Sequence, residues 1–451
     1  MMDHRMIPSG PRSLPLAGHV VPLLRDRLAF LRSLPAVGDL VRIRIGPLSI
    51  VVICDPELTH QALVNDRVFD KGGPLLDRVR ELMGDGVATC PHHHHRRLRR
   101  LSQPAFQPTR LADYAKIMET CLRQMTDAWS PGQMIDVHDQ MMRTAARITT
   151  ETLFRDSLSD TTLGQLIDDL IVMFDGFLQR VFLLPPLDRL PLPRNRAYFA
   201  ARARIHHTFE NVIAQRRAAS ADHGDLLSAL MAAHDPDDSE PRLSSAELLE
   251  TVVTFFVGGT ESSAVTLASA LDFLAGNPHV EQRLHKEVDH VLGGAPASYA
   301  HLPRLHLAQH VIKETLRLRP PVWILTRTVT ADAELGGYRL PAGTSVAYSP
   351  YILHHRPDLY PDPETFDPGR WESPQQVPRH SFIPFGVGAR KCIGDSFVMI
   401  EDTLALAEIV SRWRLEHEPG HRTRLAVALS LKPSNLRMRV VPRSTAATAV
   451  C

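Results

Sequence analysis

The chain has 451 residues, 44% of them hydrophobic and 22% charged, which are the proportions of a globular protein that buries a large core. Its 51 lysines and arginines balance 50 aspartates and glutamates, so overall charge favours neither nucleic acid nor an acidic membrane as a partner. Five cysteines without a CxxC pair argue against a disulfide framework and predict a reducing, cytoplasmic environment.

The elements in chain order predict a mainly α chain with a smaller β-rich part. Residues 1–35 are rich in proline and lack an apolar run of signal or anchor length, so we expect them to wrap the surface without a membrane anchor. Alternating β-branched residues in 36–56 predict a β-hairpin, and 57–320 have mainly helical patterns. Residues 321–451 combine turns and short strands with one clear helix. Without a repeat or a linker, we expect a single α+β domain over 1–451.

A basic segment, residues 90–106, places four histidines beside four arginines. It could hold a metal, bind nucleic acid or face some other anion. Adjacent side chains on a helix point about 100° apart, so four successive histidines cannot converge on one ion. Near-neutral charge and the absence of a nucleic-acid motif disfavour the second alternative. His95 and Arg99 are four apart and share a helix face, which favours an anion in front of that face.

A long helix is predicted after Ser244, which forms a capping-box pattern with Glu247. It can run to Gly276, where a Gly-Asn-Pro sequence provides a stop. At about 1.5 Å per residue it would be ~50 Å long, enough to cross a whole domain. Gly258 and Gly259 in its middle predict a kink that leaves backbone groups free.

The most informative segment has the pattern FGxGxRxCxG, which comprises Phe385, Gly386, Gly388, Arg390, Cys392 and Gly394. Glycines let the backbone approach a flat ligand closely. A helix follows at once, and its first N–H groups, together with the charge of Arg390, are expected to stabilise the thiolate of Cys392. An isolated cysteine beside a glycine turn is usually a small buried hydrophobe, but the complete pattern disfavours that interpretation.

Through this loop the sequence resembles the cytochrome P450 haem-thiolate monooxygenases, and the resemblance extends over nearly the whole chain. It implies the cytochrome P450 fold, with the long central helix crossing the domain over a haem b cofactor. It also implies that Cys392 is the axial ligand of the haem iron, where a thiolate favours O–O bond cleavage. The other haem-binding residues that it implies are His95, Arg99, Gly258, Gly259, Arg327, Phe385, Gly386, Arg390 and Gly394, with His95, Arg99 and Arg327 reaching the propionates.

Glu261 and Ser262 match the acid–alcohol pair that supplies protons during oxygen activation in this family. The resemblance makes them catalytic, because a relay needs groups that both donate and accept hydrogen bonds. The family pattern has threonine where this chain has Ser262, and serine lacks the methyl group that restricts the hydroxyl's rotamer. We therefore expect an active enzyme that reduces more oxygen without product than its Ser262→Thr variant.

Glu314 and Arg317 are three residues apart on a predicted helix, where they can pair, although such pairs are common on protein surfaces. The resemblance adds Arg370 and gives the cluster a structural role in supporting the haem loop. It also predicts the walls of a substrate pocket, although Trp323 fits an ordinary core position equally well. The pocket residues expected by family position are Phe255, Phe256, Val322, Trp323, Ile324, Leu325, Ala428 and Leu429.

The apolar wall predicts a hydrophobic, weakly functionalised substrate. The sequence is similar to bacterial terpene-oxidising members of the family, such as pentalenene-type sesquiterpene hydroxylases of secondary metabolism. A macrolide, steroid or fatty-acid-like substrate remains an alternative. A haem-binding protein without turnover, or a peroxygenase, is a further alternative that the acid–alcohol pair disfavours.

Electrons are expected from another protein, because the chain has no flavin or iron–sulfur motif. The resemblance implies a ferredoxin and its reductase as partners of a monomeric enzyme. Arg97, Arg100, Arg110 and Lys391 are expected on the cysteine side, where they could meet an acidic partner. A merely solvated basic face explains each of these residues equally well.

Overall fold

The computed structural model describes residues 6–155, 157–182, 190–219, 222–236, 240–373 and 377–443. Over these residues the fold is mainly helical with smaller sheets, as expected. None of the helices in these ranges combines the length and the apolar composition that crossing a bilayer requires. The helices are α1 (Val20–Arg25), α2 (Arg27–Ser33), α3 (Pro56–Val64), α4 (Pro74–Met83), α5 (His92–Ser102), α6 (Pro108–Asp127), α7 (Val137–Phe154), α8 (Asp160–Phe182), α9 (Pro193–Ala219), α10 (Leu226–Ala232), α11 (Ser245–Gly276), α12 (Pro278–Leu292), α13 (His306–Leu318), α14 (Pro350–His354) and α15 (Asp395–Arg412).

The strands form one five-stranded sheet and three smaller sheets within the described residues. The large sheet has the order β1-β2-β8-β5-β3, and the others pair β4-β12-β9, β6-β7 and β10-β11. The strands are β1 (Leu40–Ile45), β2 (Leu48–Ile53), β3 (Phe69–Lys71), β4 (Met134–Asp136), β5 (Leu325–Val329), β6 (Ala333–Leu335), β7 (Tyr338–Leu340), β8 (Ser345–Tyr348), β9 (Trp413–His417), β10 (Arg424–Val427), β11 (Leu431–Ser434) and β12 (Arg437–Pro442).

The large sheet brings Lys71 and Arg327, which are far apart in the chain, next to each other. β1 and β2 form an antiparallel hairpin, and β2 pairs in parallel with β8. β5 then lies between β8 and β3, and the β3–β5 register places Lys71 opposite Arg327. Residues that are far apart in the chain therefore become neighbours at one edge of the sheet, beside the cavity described below.

Helix α11 begins as the capping box predicts. The Ser244 hydroxyl accepts a hydrogen bond from the Glu247 backbone N–H at 3.2 Å, and the Glu247 carboxylate accepts one from the Ser244 N–H at 2.8 Å. The cap satisfies two N–H groups that a helix start otherwise leaves free. The helix ends at Gly276, where the sequence also predicts its end.

Helix α11 is continuous from Ser245 to Gly276, so the two glycines do not end the helix, and the kink at Gly258 and Gly259 stays a prediction. Gly259 allows close packing between two helices. A Cβ atom at Gly259 would lie 3.1 Å from the Oγ1 atom of Thr149 on α7, tighter than most real Cβ contacts. The missing side chain thus lets α7 and α11 approach each other.

Glu314, Arg317 and Arg370 form one buried ionic cluster. Two guanidinium nitrogens of Arg317 donate to the two Glu314 carboxylate oxygens at 2.9 and 2.8 Å, and neither side chain is exposed. Nε of Arg370 donates to Glu314 Oε1 at 3.2 Å, and the Trp371 indole donates to Oε2 at 3.0 Å. The cluster joins α13 to the 3₁₀ turn Pro368–Trp371, upstream of the cysteine loop.

Glu401 and Asp402 form a buried acid pair on α15. The Ser263 hydroxyl donates to Glu401 Oε2 at 3.1 Å, while Glu401 Oε1 and both Asp402 oxygens have no partner among the described residues. Burial raises the pKa of Glu401 to about 8. Burial and then the charge of Glu401 raise the pKa of Asp402 well above its usual range. Both carboxyls are therefore mainly protonated in the folded protein near neutral pH.

We expect this pair to make the protein less stable as the pH rises from ~5 to ~8, because the folded state keeps protons that the unfolded chain, with carboxyl pKa values of ~4, has lost. A Glu401→Gln/Asp402→Asn variant lacks that linkage, so its unfolding temperature should fall less steeply over the same pH range. Thermal unfolding followed by circular dichroism measures both slopes, and equal slopes would contradict a neutral pair.

Candidate active site

Cys392 lies in a loop whose backbone requires glycine at two positions. Gly386 and Gly388 have φ angles of 68° and 72°, in the left-handed region that side chains disfavour. A Cβ atom at Gly388 would also stand 2.9 Å from the backbone oxygen of Leu63, at the end of α3. The Cys392 N–H closes the loop by donating to the Phe385 carbonyl at 2.9 Å. The glycines therefore serve the shape of the loop and its close approach to α3.

The thiol of Cys392 lies deep in the molecule but is accessible, because it opens into a large cavity. Burial raises the pKa of Cys392, while a hydrogen bond from the Gly394 backbone lowers it. The charges of Arg99 and Lys391 also favour the thiolate. The backbone N–H at the start of α15 lowers the pKa of the thiol, as the sequence analysis expected. The cations that favour the thiolate are Arg99 and Lys391, whereas the sequence analysis expected Arg390.

Arg390 has different partners from those predicted. Its Nε donates to Asp66 at 3.0 Å, its Nη2 to Asp70 at 3.0 Å and its Nη1 to the Cys90 carbonyl at 2.8 Å. The side chain is almost fully buried, and two carboxylates compensate its charge. Arg390 borders the cavity, but it cross-links the cysteine loop to β3 and its flank instead of offering a free cation to the thiol or to a ligand.

His92 belongs to this cross-link. Its backbone N–H donates to Asp70 at 2.9 Å and its imidazole Nδ1 lies 3.2 Å from Asp66, so the start of α5 is attached to the same carboxylates. The sequence analysis missed both aspartates. Asp66 lies three residues before β3 and Asp70 lies within it, and neither position carries a distinguishing signal without the fold, since acidic residues near turns are ordinary.

A buried arginine without full compensation lies next to a cavity-lining residue, because Arg327 on β5 pairs with Lys71 on β3. Arg327 is 2% exposed, and its Nε and Nη1 atoms have no hydrogen-bond partner among the described residues. Lys71 borders the cavity itself, and burial, followed by the charges of Arg327 and Arg390, lowers its pKa well below the usual range. Unpaired buried cations are costly, so this geometry calls for an anionic ligand. Arg327 was predicted from the sequence, whereas Lys71 was missed because β3 is too short to recognise.

His95 and Arg99 share one face of α5 and line the cavity, as their spacing predicts. Burial and the charge of Arg390 lower the pKa of His95 to about 3, so its imidazole is neutral and acts as a hydrogen-bonding group. Arg99 Nη1 donates to the Lys391 carbonyl at 2.7 Å, which attaches α5 to the cysteine loop. His93 and His94 are exposed, as the helix geometry requires.

These residues fit the haem that the sequence resemblance implies. The accessible thiol of Cys392 can coordinate iron, and the unpaired Nε and Nη1 atoms of Arg327 can donate hydrogen bonds to a propionate. Lys71, His95 and Arg99 add donors on the same cavity wall. The cavity volume is about 370 Å³, and Gly258, Gly259, Phe385, Gly386 and Gly394 all border it.

We expect a His95→Ala/Arg99→Ala variant to lose haem about tenfold faster than the parent, because a hydrogen bond from a charged donor contributes ~1.5 kcal/mol or more. Transfer of haem to excess apomyoglobin measures the dissociation rate. His94→Ala is the matched control, since His94 is exposed on the same helix. An unchanged transfer rate in the double variant would show that α5 does not hold the propionates.

The wall of the cavity includes seven of the eight predicted pocket residues, and Phe256 is the exception. Phe255 faces the cavity and contacts Phe106 edge-on at 5.1 Å between ring centroids. Phe256 is fully buried and packs against Phe209 of α9 at 5.3 Å. One step along a helix turns the side chain by about 100°, and here that turn takes Phe256 away from the cavity and toward α9. The prediction for Phe256 was therefore wrong.

Trp323 joins two parts of the wall. Its indole N–H donates to the Ala428 carbonyl at 3.0 Å, so it binds the segment before β5 to the β10–β11 hairpin. It also packs against the smaller core around Phe30 and Ile352, so this tryptophan is part of the cavity wall and part of a hydrophobic core. The remaining predicted wall residues that border the cavity are Val322, Ile324, Leu325, Ala428 and Leu429.

The acid–alcohol pair borders the cavity from α11. The Ser262 hydroxyl donates to the Gly258 carbonyl one turn earlier at 2.6 Å. Glu261 is 7% exposed, and its Oε1 accepts a hydrogen bond from the Ser430 hydroxyl at 2.5 Å. Glu261 Oε2 has no partner among the described residues. A carboxyl oxygen and a hydroxyl are thus available at neighbouring positions on one wall.

A second polar cluster lies outside the cavity, where Asp272, His417 and His421 have the spacing of metal ligands. Asp272 is already satisfied, because it accepts hydrogen bonds from His417 at 2.8 Å, Thr423 at 2.5 Å and Arg319 at 2.6 Å. The guanidinium of Arg319 neutralises the only carboxylate of the cluster. We therefore interpret it as a structural junction at the end of α11.

Most of the cations expected to face a redox partner are paired within the protein. Arg97 forms an ion pair with Glu247, and Arg100 pairs with Asp235 at 2.8 Å. Lys391 pairs with Asp395, the first residue of α15. Internal compensation leaves these residues with less charge to offer an acidic partner than the sequence suggested.

Comparison with known proteins identifies the family of this chain. The sequence profile described as Cytochrome P450 matches residues 8–439. Cyclooctatin synthase of Streptomyces melanosporofaciens is 43% identical over 98% of this chain and 96% of its own, and Cyclooctat-9-en-7-ol 5-monooxygenase of that organism is 42% identical over 91% and 90%. Pentalenene oxygenase of Streptomyces avermitilis is 40% identical over 98% of this chain and 99% of its own. The chain therefore belongs to the cytochrome P450 family of haem-thiolate monooxygenases, whose cofactor is haem b.

Proposed function

We propose that this protein inserts one oxygen atom of dioxygen into a terpene hydrocarbon in bacterial secondary metabolism. The observation that carries the proposal is the agreement between an apolar cavity wall and the names of three similar enzymes. The wall facing the candidate haem site consists of tryptophan, phenylalanine and aliphatic side chains. Such a wall binds by excluding water from apolar surface, which suits a hydrocarbon that offers no polar group.

In this proposal Cys392 binds the iron, while Arg327, Lys71, His95 and Arg99 hold the propionates. The haem, when bound, supplies the activation of dioxygen and its transfer to carbon. These residues would fix the orientation of the bound haem, since Cys392 would hold it at the cysteine loop and the four polar side chains would hold its propionates. Arg390 contributes by holding the cysteine loop against β3 through Asp66 and Asp70.

Glu261 and Ser262 supply protons in this proposal. The unpaired Oε2 of Glu261 can hold a proton, and the Ser262 hydroxyl can pass one on while its own hydrogen bond to Gly258 rearranges. The hydroxyl of serine rotates more freely than that of threonine, so more oxygen reduction without product remains our prediction for this chain. Comparing peroxide released per product formed in the parent and in Ser262→Thr measures it.

Electrons come from an external donor in this proposal, and a ferredoxin with its reductase is the donor class. Arg99 and Lys391 lie beside the cysteine loop, where one electron at a time would have to enter. Because Arg97 and Arg100 of α5 and Lys391 are paired within the protein, a small acidic donor would recognise the shape of this surface more than its charge.

The reduced, CO-bound spectrum and a substrate screen test the proposal together. A strongly red-shifted Soret band is expected for thiolate ligation. Cyclic sesquiterpene and diterpene hydrocarbons should shift the ferric spin state, and a reconstituted ferredoxin system should convert them to monohydroxylated products detectable by mass spectrometry. Palmitate, a macrolide and a steroid serve as controls. A spin-state shift and product with one of these controls, but with no terpene, would contradict the substrate class.

A further inference from the structure

One hydrogen bond joins the catalytic wall of the cavity to its substrate wall. The hairpin formed by β10 and β11 has its tip at residues 428–430. Ser430 at the end of this tip is 3% exposed, and its hydroxyl donates to Oε1 of Glu261 on α11 at 2.5 Å. The two residues are 169 positions apart in the chain, so the bond is created by the fold alone.

The hairpin tip is itself held in place. The Ala428 carbonyl accepts the Trp323 indole N–H at 3.0 Å, and the Ala428 N–H donates to the Ser430 carbonyl at 2.9 Å. The Leu431 N–H donates to the Pro321 carbonyl at 3.3 Å. These bonds hold the backbone of the tip from which the Ser430 hydroxyl projects, while the adjacent residues Ala428 and Leu429 border the cavity.

The carboxyl of Glu261 needs such a fixed point. A glutamate side chain has three rotatable bonds, and holding it in one arrangement costs conformational entropy. A buried hydroxyl-to-carboxylate bond is short and strong, so it can offset that cost. With Oε1 held by Ser430, the unpartnered Oε2 is left for proton exchange in the cavity.

We propose that Ser430 is a positioning residue for proton delivery and that it couples this step to the substrate wall. A substrate that packs against Ala428 and Leu429 stabilises the tip, and the tip in turn holds Glu261. When the pocket is empty or poorly filled, the hairpin tip is held less firmly. The Glu261 carboxyl, which the tip holds through Ser430, is then less well fixed. The inference rests on the proposed proton-supply role of Glu261, and it does not depend on which hydrophobic substrate is used.

The test compares Ser430→Ala with the parent in a reconstituted turnover assay. Loss of the hydrogen bond that holds the Glu261 carboxyl should lower coupled product formation up to about tenfold and raise the share of NADH that ends as hydrogen peroxide. The ratio of NADH consumption rates in H₂O and D₂O should increase, because proton transfer becomes slower. Substrate affinity, read from the spin-state shift, and the CO-bound spectrum should stay unchanged.

Three further variants decide whether Ser430 acts through Glu261. Ser430→Thr keeps the hydroxyl and should retain most of the coupling. Ser434→Ala is the matched control, since its exposed hydroxyl bonds only to the Arg424 carbonyl within the same hairpin at 3.0 Å. In a Glu261→Gln background, Ser430→Ala should cause little additional loss, as a double-mutant cycle requires for residues that act together.

Equal coupling and equal isotope ratios in Ser430→Ala and the parent would overturn the proposal. So would a Ser434→Ala variant that loses coupling to the same extent, or additive losses with Glu261→Gln. The isotope ratio of NADH consumption needs no product, so it tests Ser430 even if no terpene is oxidised. A wrong substrate class is therefore distinguishable from a wrong role for Ser430.

Discussion

Replacing Cys392 with serine is expected to abolish monooxygenation and to remove the red-shifted CO band of the reduced enzyme. A serine hydroxyl is a much weaker iron ligand than a thiolate and does not push electron density onto the metal in the same way. The side chain is almost isosteric and opens into the cavity, so the loop should keep its shape. Product formation should fall below detection, while circular dichroism should remain that of the parent.

Cys121→Ser is the matched control for this substitution. Cys121 is buried on α6 at 6% exposure, and it does not border the cavity. It should lose some stability, because a polar hydroxyl replaces a buried thiol, yet it should keep the CO spectrum. A red-shifted band that persists in Cys392→Ser would require a different cysteine as the ligand and would overturn the assignment of the site.

Glu314→Ala is expected to have the largest effect on stability. It leaves the guanidinium of Arg317 without its carboxylate at a position with no solvent exposure, and it also removes the partner of Arg370. Breaking one side of a buried ion pair typically costs ~3–5 kcal/mol, a large fraction of the stability of a folded domain. We expect a strong loss of folded, haem-containing protein and a clearly lower denaturant midpoint of unfolding.

A surface ion pair gives the comparison. Arg283 and Glu372 lie 2.9 Å apart, but about half of each side chain is exposed, so Arg283→Ala should change stability little. Urea unfolding of both variants, with haem content measured by absorbance, separates the two cases. If Glu314→Ala proved no less stable than Arg283→Ala, the cluster would not support the fold as its burial indicates.

The cysteine loop and the caps could be predicted from the sequence because their determinants are local. The glycines around Cys392 are needed for the backbone angles of the loop itself, and the capping box of Ser244 and Glu247 involves residues three positions apart. Spacing along a helix also placed Glu314 near Arg317 and His95 near Arg99. These contacts depend on the geometry of a single turn, which the order of residues specifies directly.

Local reasoning failed where a residue's surroundings come from another part of the chain. Arg390 was expected beside the thiol, but two aspartates on the β3 side compensate it. Phe256 was expected on the cavity wall, but the rotation of α11 turns it toward α9. A pattern identifies the type of residue that a site needs, whereas the direction of each side chain depends on how the helices and strands pack.

The sequence by itself determined the class of this protein, the position of the cysteine proposed to bind iron and the start and end of the central helix. The tertiary structure decided which charges face the cofactor and which compensate one another. Lys71 became a candidate partner of a haem propionate only because β3 pairs with β5. Ser430 contacts Glu261 only because a hairpin folds against α11. Both contacts join residues that are far apart in the chain, and their distances are set by sheet register and packing, which no local pattern encodes.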